Sequence, residues 1–391
     1  MYNSPMPVIL SPRALHRLES RHPWIYKSDI ASLPDEVGIF PLYAAKDRNQ
    51  NVLGYAAVNP KSEISVRMLS YGPEAFQLEN LLDAVDAALA YRESLAIEAD
   101  SYRLIHAEAD NLPALIVDRY SDYLVMQSGS AALESVLEMI ITRLVEKLKP
   151  KGILARFEGQ NRKLEGLSQH KNVLYGSVPE QIECYEADLS YVVNPYEGQK
   201  TGSFLDQRLN RERLGRLSWG RALDLFSYHG AFGLHMAKKA GEVVCVDGSA
   251  RALEQAQINM SLNHFDHISY HCDNAFDYLR SISHERCFDT ISLDPPAFAK
   301  RQKDLDNAFS AYKELNLQAM KCLQTGGILA TSSCSFHVSF DDFMLMLQDA
   351  AADAQRSIRV LGRYGQAPDH PEKLGFPESS YLKCVFLQAL D

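Results

Sequence analysis

The stretch Ala222-Leu-Asp-Leu-Phe-Ser-Tyr-His-Gly-Ala-Phe-Gly233 constrains this chain more than any other. It opens as an apolar run short enough for a buried strand and continues as a polar turn holding Gly230. A helix then begins at Ala231-Phe-Gly-Leu-His-Met-Ala-Lys-Lys239. Glu242-Val-Val-Cys-Val-Asp247 follows as a second apolar strand, and it ends on a carboxylate. Strand, turn, helix and acid-tipped strand make a βαβ unit suited to a nucleoside. Backbone amides of the turn approach the ligand, and the acid accepts both ribose hydroxyls. The dinucleotide fingerprint Gly-x-Gly-x-x-Gly is missing; the glycines here are Gly230 and Gly233. That argues against a pyrophosphate, and so against a nicotinamide oxidoreductase. A nucleoside bearing an amino-acid tail fits better, and S-adenosylmethionine is the expected cofactor.

With 391 residues and 46% hydrophobic content, the chain is long enough for two or three packed domains. Residues 1–72 read as a small β-rich module, with strands at Val8–Leu10, Asn51–Val58 and Ser62–Leu69. Within it, Ser11–Tyr26 reads as a short helix carrying Arg13, Arg17, Arg21, His16 and His22, followed by Trp24 and Tyr26. Cations interleaved with aromatics suit RNA, through phosphate contacts and base stacking. The same pattern also describes a solvated basic helix face over a core Trp24.

Residues 73–195 read as an α+β layer. Its helices are expected at 78–95 and 133–148 and its strands at 102–106, 115–120, 123–127 and 153–157; Arg156, Arg162 and Lys163 can touch a phosphate, but a solvated loop is the favoured reading. Residues 196–391 alternate strands and helices, which argues for an α/β, Rossmann-like, doubly wound parallel sheet. Strands are expected at Ala222–Phe226, Val243–Val246, Ile268–His271, Thr290–Leu293, Ile328–Ser332 and Tyr381–Leu387, with helices at Ala250–Asn259, Asn307–Cys322 and Phe340–Ala352.

The remaining composition narrows the setting. No apolar run approaches the ~20 residues that span a bilayer, so no membrane partner is expected. Met1-Tyr-Asn-Ser-Pro5 lacks a basic segment followed by an apolar one, so no secretion signal is read. Seven cysteines are scattered without a Cys-x-x-Cys pair; neither a metal site nor a disulfide framework is expected, and a reducing cytoplasm is the natural location. The net charge of −10 opposes general attraction to nucleic acid, but a local basic patch decides binding.

Two strand ends carry chemistry. Asp294-Pro-Pro-Ala-Phe298 follows the apolar run Thr290–Leu293, and its acid and prolines form a rigid lip that can hold the edge of a planar base. Thr331-Ser-Ser-Cys-Ser335 ends the next strand, placing Cys334 among hydroxyl residues, a poor setting for a core thiol. A thiolate can add to C6 of a pyrimidine, making C5 nucleophilic toward a sulfonium methyl. A base then removes the C5 proton and the thiol leaves. Asp294 is placed to polarise N3 or the exocyclic amine, and the target base must leave its stack. After the third strand, Asp273 or Asn274 can meet the adenine amino group, and the spacing to Ala275-Phe276 favours Asn274; a helix N-cap is the role of the other. Phe204, Asp206, Gln207 and Arg208 precede the nucleoside unit and can close over the methionine end; helix capping with surface ion pairs is the bland alternative.

These residues resemble the bacterial large-subunit ribosomal RNA cytosine-C5 methyltransferases that join an N-terminal PUA domain to a class I methyltransferase domain. The matching stretches are Arg21-His-Pro-Trp-Ile-Tyr26, Ser101–Ile105, Leu112–Arg119, Lys200-Thr-Gly-Ser-Phe-Leu-Asp-Gln-Arg208, Phe226–Gly230, Asp294–Phe298, Ser333-Cys-Ser335 and Ala367-Pro-Asp-His-Pro371. The resemblance implies a PUA domain over 1–72 that binds RNA through Arg13, Arg17, Arg21 and Trp24. It implies a central α+β domain over 73–195, a methyltransferase domain over 196–391, and Cys334 as nucleophile with Asp294 beside it. The cofactor would lie along Asp224, Phe226, Ser227, Tyr228 and Gly230, with Asp247, Ser249, Asp273, Asn274, Asp294, Pro295, Phe204 and Arg208. The partner would be 23S ribosomal RNA, and a homodimer is one assembly open to it. His229, Asn274 and Ala297 depart from the residues common in that family. Rival expectations are methylation of a guanine or adenine amine with Cys334 a bystander, and a non-catalytic RNA-binding assembly factor.

Overall fold

The computed structural model describes residues 7–33, 42–283, 285–299 and 302–391; the reading of residues 1–5 falls outside them. The chain forms two compact units. The first comprises Met1–Ile182, Val193–Ser203 and Pro368–Ser379; the second comprises Glu183–Val192, Phe204–Ala367 and Ser380–Asp391.

In the first unit, a six-stranded sheet runs in the order Trp24–Ile25, Val66–Tyr71, Val52–Val58, Leu42–Lys46, Val8–Leu10, Ile30–Ser32. Leu42–Lys46 alternates half-buried and buried positions, and its inward Tyr43 and Ala45 join Val8, Ile25, Val58 and Val66 in one core. The strand expected over Ser62–Leu69 begins only at Val66. A turn takes the earlier residues: Ser62 N–H donates to Asn59 O at 3.1 Å, and Asn59 N–H donates to Ser65 O at 2.8 Å. A second, five-stranded sheet packs against the helices Glu79–Ser94 and Leu137–Leu148 around Leu81, Val85, Val117, Ile140 and Ile153. Its edge strand His170–Gly176, mostly exposed, carries no periodic apolar signal in sequence. Arg162 is not solvated as expected. It is 2% exposed and donates to Ser128 O at 2.6 Å and to Ser168 O at 2.6 and 3.0 Å.

The second unit is built on seven strands: β1 Arg221–Leu225, β2 Glu242–Asp247, β3 Ile268–Cys272, β4 Phe288–Leu293, β5 Leu323–Ser333, β6 Ile358–Tyr364 and β7 Lys383–Ala389. Their order is β3-β2-β1-β4-β5-β7-β6, parallel from β3 to β5, with β7 antiparallel to both neighbours. Leu223, Val244, Ile291 and Leu329 are fully buried at its centre, which is why these strands read as continuous apolar runs. β6 escaped the sequence reading because it lies at the sheet edge with Arg359, Gly362 and Arg363 breaking its pattern. The connecting helices include α1 Arg208–Leu217, α2 Ala231–Ala237, α3 Ala250–Leu262, α4 Ala275–Ile282, α5 Leu305–Cys322 and α6 Phe340–Asp353. The strand order reverses between β1 and β4, so the carboxyl ends of those strands flank the ligand crevice of a doubly wound sheet. Among the described residues, no helix is long and apolar enough to cross a membrane, and no group of His, Cys, Asp and Glu is placed to hold a metal ion.

Candidate functional site

The turn leaving β1 alternates in hand. Phe226, Tyr228 and Gly230 have φ of +59°, +49° and +77°. Left-handed backbone at two non-glycine residues is uncommon, and strain of this kind persists where the surroundings fix it, often at sites. Several contacts fix it here. Ser227 N–H donates to Val246 O at 3.1 Å, Gly230 N–H to Ser227 O at 2.8 Å, and Tyr228 N–H to Asp247 Oδ2 at 2.9 Å. Gly233 sits in a tight space: a Cβ there would lie 3.0 Å from Cys245 Sγ and 3.2 Å from Asp224 Oδ2, so those side chains would have to give by a few tenths of an ångström. Asp224 is 1% exposed and accepts the Gly233 N–H at 2.8 Å, so it ties the strand to α2. Burial, reinforced by the Asp294 and Asp247 charges, pushes its carboxyl up to about 7 against the Gly233 bond.

Asp247 ends β2 half-buried, with its second oxygen accepting the Ser249 N–H at 2.9 Å. Ser249 itself caps α3, its hydroxyl accepting the Ala252 N–H at 3.3 Å. At the end of β3, Asn274 caps α4 by accepting the Phe276 N–H at 2.9 Å, while Asp273 stands exposed beside it. Phe204 packs edge-on against Tyr228, with ring centroids 5.6 Å apart, so the segment before α1 does reach the turn. It is anchored from below: Arg211 donates to Phe204 O at 2.6 Å and to both Glu186 oxygens, and His235 Nε2 meets Glu186 at 2.8 Å. Burial alone would raise Glu186, but Arg211 and His235 outweigh it and hold it near about 2. His229 is stacked on Tyr191 and kept neutral, lowered to about 4 by burial and then by the Arg211 charge. Ser227 Oγ is buried without a hydrogen-bond partner among the described residues. A half-buried strand-end carboxylate, an unsatisfied hydroxyl in a strained turn and two aromatic rings packed edge to face suit the ribose, tail and sulfonium of S-adenosylmethionine.

The second half of the site lies at the ends of β4 and β5. Leu293 pairs with Thr331, which sets Asp294 level with Ser332 and Cys334 two residues beyond. Gln207 bridges the two strands, its amide donating to Asp294 Oδ1 at 2.9 Å and to Ser332 Oγ at 3.0 Å. Asn210 orients that amide by donating to Gln207 Oε1 at 2.7 Å. Asp206 accepts from Tyr381 at 2.7 Å. Asp206, Gln207 and Arg208 are all buried, so the bland expectation of surface ion pairs fails for this segment. Cys334 is half-buried, whereas its neighbour Ser335 is 1% exposed. Ser335 Oγ meets Tyr312 at 2.9 Å and accepts the Ala299 N–H at 3.2 Å, and Lys383 donates to the Ser335 carbonyl at 2.6 Å. Asn210, Tyr312 and Lys383 were not read from the sequence. They lie far along the chain in helix and strand patterns that explain them equally well as packing, and only the fold brings them here.

The proposed RNA-binding residues sit in the first unit, on and after the helix Pro12–Glu19. Arg13 and Arg21 are exposed; Arg17 lies 3.5 Å from Asp29 and over the Tyr26 ring at 4.7 Å. Trp24 is packed instead of presented to a base: its indole N–H donates to Glu108 at 2.6 Å and its ring lies 4.6 Å from Phe376. His22 is buried with Nε2 3.1 Å from Glu378.

Comparison with known proteins gives a consistent match. Residues 8–71 match the PUA-like domain family and residues 218–367 match a methyltransferase domain family. A protein of Shewanella denitrificans named ribosomal RNA large subunit methyltransferase I is 37% identical, over 96% of this chain and 97% of its own. One of the same name from Aliivibrio fischeri is 36% identical over 94% and 95%. A protein from Streptococcus mutans, described as a SAM-dependent methyltransferase, shares the fold with a TM-score of 0.82 at 20% identity, covering 98% of this chain and 100% of that one. A structure of SMU.776 complexed with SAH aligns with a TM-score of 0.81 at 20% identity, with the same coverage.

Proposed function

Because this chain belongs to the ribosomal RNA large subunit methyltransferase I family, we propose that it methylates C5 of a cytosine in 23S ribosomal RNA through a covalent adduct on Cys334. S-adenosylmethionine supplies the electrophilic methyl group. Asp247 receives the ribose hydroxyls, the Ser227 hydroxyl holds the polar tail, and Phe204 and Tyr228 flank it. Asp273 or Asn274 accepts from the adenine amine; each already takes one backbone N–H, Asp273 that of Asn274 and Asn274 that of Phe276. Arg208 and Pro295 complete the walls, and Arg13, Arg17 and Arg21 attract the phosphates. The division into domains 1–72, 73–195 and 196–391 belongs to the same reading.

The observation that supports this reading is a half-buried Cys334 two residues past Ser332, the strand-end residue that Gln207 links to Asp294 on the neighbouring strand. Cys334 adds to C6 of the flipped base, which loads electron density onto C5, and departs once the C5 proton has been removed. Asp294 holds the edge of the base. The test is Cys334→Ala, assayed by nucleoside mass mapping of ribosomal RNA together with calorimetry of S-adenosylmethionine. Lost 5-methylcytosine with cofactor affinity retained supports the adduct. Unchanged methylation rules it out and favours transfer to a base amine. A wild-type protein that binds no cofactor at millimolar concentration overturns the enzyme assignment.

A further inference from the structure

Lys383 opens β7 directly opposite Ser333, the last residue of β5. Its side chain runs inward, leaving the residue 5% exposed, and its ammonium donates to the carbonyls of Ser335 at 2.6 Å and Tyr381 at 2.9 Å. Among the described residues no carboxylate lies within ion-pair distance of it. Two carbonyls alone do not explain a lysine here, because a neutral amide donor of similar reach would serve them without burying a charge. Burying an ammonium that lacks an anionic partner is costly, and such groups collect at functional sites. The residue whose charge acts on Lys383 is Cys334.

We infer that Lys383 is a positioning cation for Cys334: it clamps the chain at Ser335 and sets its positive charge beside the sulfur, so that the thiolate forms near neutral pH. This rests on the reading of Cys334 as nucleophile. The step is a simple ionisation, in which the thiol proton passes to solvent and the ammonium keeps its own. Burial draws the lysine down to about 8, partly offset by Cys334, so below that pH the charge is present when the thiol must ionise.

The other groups facing this corner are accounted for. Tyr312, from α5, is raised by burial and stays a neutral phenol. Cys384, on β7, is pushed up to about 12 by burial and stays a thiol. Asp294 from β4 and Arg213 from α1 act on Cys384 with opposite signs. The Tyr381 phenol is engaged with Asp206.

The experiment follows the rate of Cys334 alkylation by iodoacetamide against pH in the full chain, read at the Cys334 peptide by mass spectrometry. In Lys383→Met the midpoint is expected to rise by about one pH unit or more, the usual effect of an adjacent charge. The plateau rate at high pH should be unchanged, and Lys383→Arg should restore the wild-type midpoint. The acid limb of kcat/KM should move with the midpoint. A clamp with no electrostatic role would change the plateau or the melting temperature and leave the midpoint in place. Coincident midpoints in wild type and Lys383→Met overturn the proposal. If the Met variant does not fold, Lys383→Gln, which keeps a donor and removes the charge, decides by the same criterion. Full methylation by Cys334→Ala would sink the nucleophile and leave the midpoint shift intact, so the two failures are distinguishable.

Discussion

In the first unit Arg103 meets Asp118 through two parallel contacts of 2.7 and 2.9 Å; in the second, Asp224 is buried as deeply and meets the Gly233 amide. The contrast repeats. Arg67 joins Glu108 at 2.8 Å and Glu165 at 3.0 Å, and Arg92 joins Asp110 at 2.7 Å, all in the first unit. In the second, Lys383 is given two carbonyls. The second unit can build a compensated cluster, as Glu186, Arg211 and His235 show. Its uncompensated groups are therefore a local property. They lie at the ends of β1 and β7, and their protonation equilibria lie near neutrality, at about 7 for Asp224 and about 8 for Lys383. Charge paired at burial serves architecture; charge left without an opposite partner marks the chemistry.

The largest effect should come from breaking a compensated pair. Arg103→Met leaves Asp118 buried with the Thr201 hydroxyl at 2.6 Å as its remaining polar support, and should cost about 3–5 kcal/mol in urea unfolding. Asp224→Asn should behave in the opposite way. The native carboxyl titrates at about 7 against an ordinary 3.8. Between those values the folded protein holds a proton that the unfolded chain has released, so stability falls as pH rises from about 4 to 7 and is flat above. The Asn variant should lose that slope, a change of roughly 2–4 kcal/mol between the ends of the window. His229 runs the other way. Its native value of about 4 lies below an ordinary 6.5, so its contribution is lost as pH falls from 6.5 toward 4, and Asp224→Asn should expose that acid sensitivity. A variant as damaged at pH 8 as Arg103→Met would erase the distinction between the two kinds of burial.

The same distinction separates what could be read from the sequence from what could not. β1, β2, β4 and β5 were placed within a few residues because strands buried on both faces need unbroken apolar runs, and the strained turn showed itself through Gly230 between polar residues. Cys334 is legible as a candidate because a thiol among hydroxyl residues at an open strand end is poorly placed for a core, and Asp294 because two prolines follow it at the end of an apolar run. The anchors did not stand out. Arg162 in a Gly-Gln-Asn context has the composition of a solvated loop, and only the carbonyls of Ser128 and Ser168 make it interior. Asp369 accepts the Arg103 N–H at 2.9 Å across 266 residues of chain, a contact no local pattern encodes. Lys383 reads as an ordinary polar residue at the mouth of a strand.

Asp247→Ala tests the cofactor end of the comparison. Removing a carboxylate proposed to accept two ribose hydroxyls should weaken S-adenosylmethionine by about ten- to a hundredfold in calorimetry, and losing its bonds to the Tyr228 and Ser249 amides should lower the melting temperature of the free protein as well. Unchanged affinity would place the nucleoside elsewhere.

The smallest effects are expected at the proposed RNA-binding cations of the first unit, whose attraction for phosphates would be screened by salt. Arg13→Gln should leave stability unchanged and reduce the slope of log affinity against log salt for a ribosomal RNA fragment by about 0.7–0.9. Arg17→Gln should do less, because that guanidinium already shares itself between Asp29 and the Tyr26 ring. Trp24→Phe reads differently again. Its indole is bonded to Glu108, beside the Arg67 guanidinium, so the substitution should lower stability and leave the salt slope alone. A Trp24→Phe variant that folds normally yet loses RNA affinity would mean that this ring, though packed, is turned toward a base when RNA arrives, and that compensation in the first unit is not purely architectural.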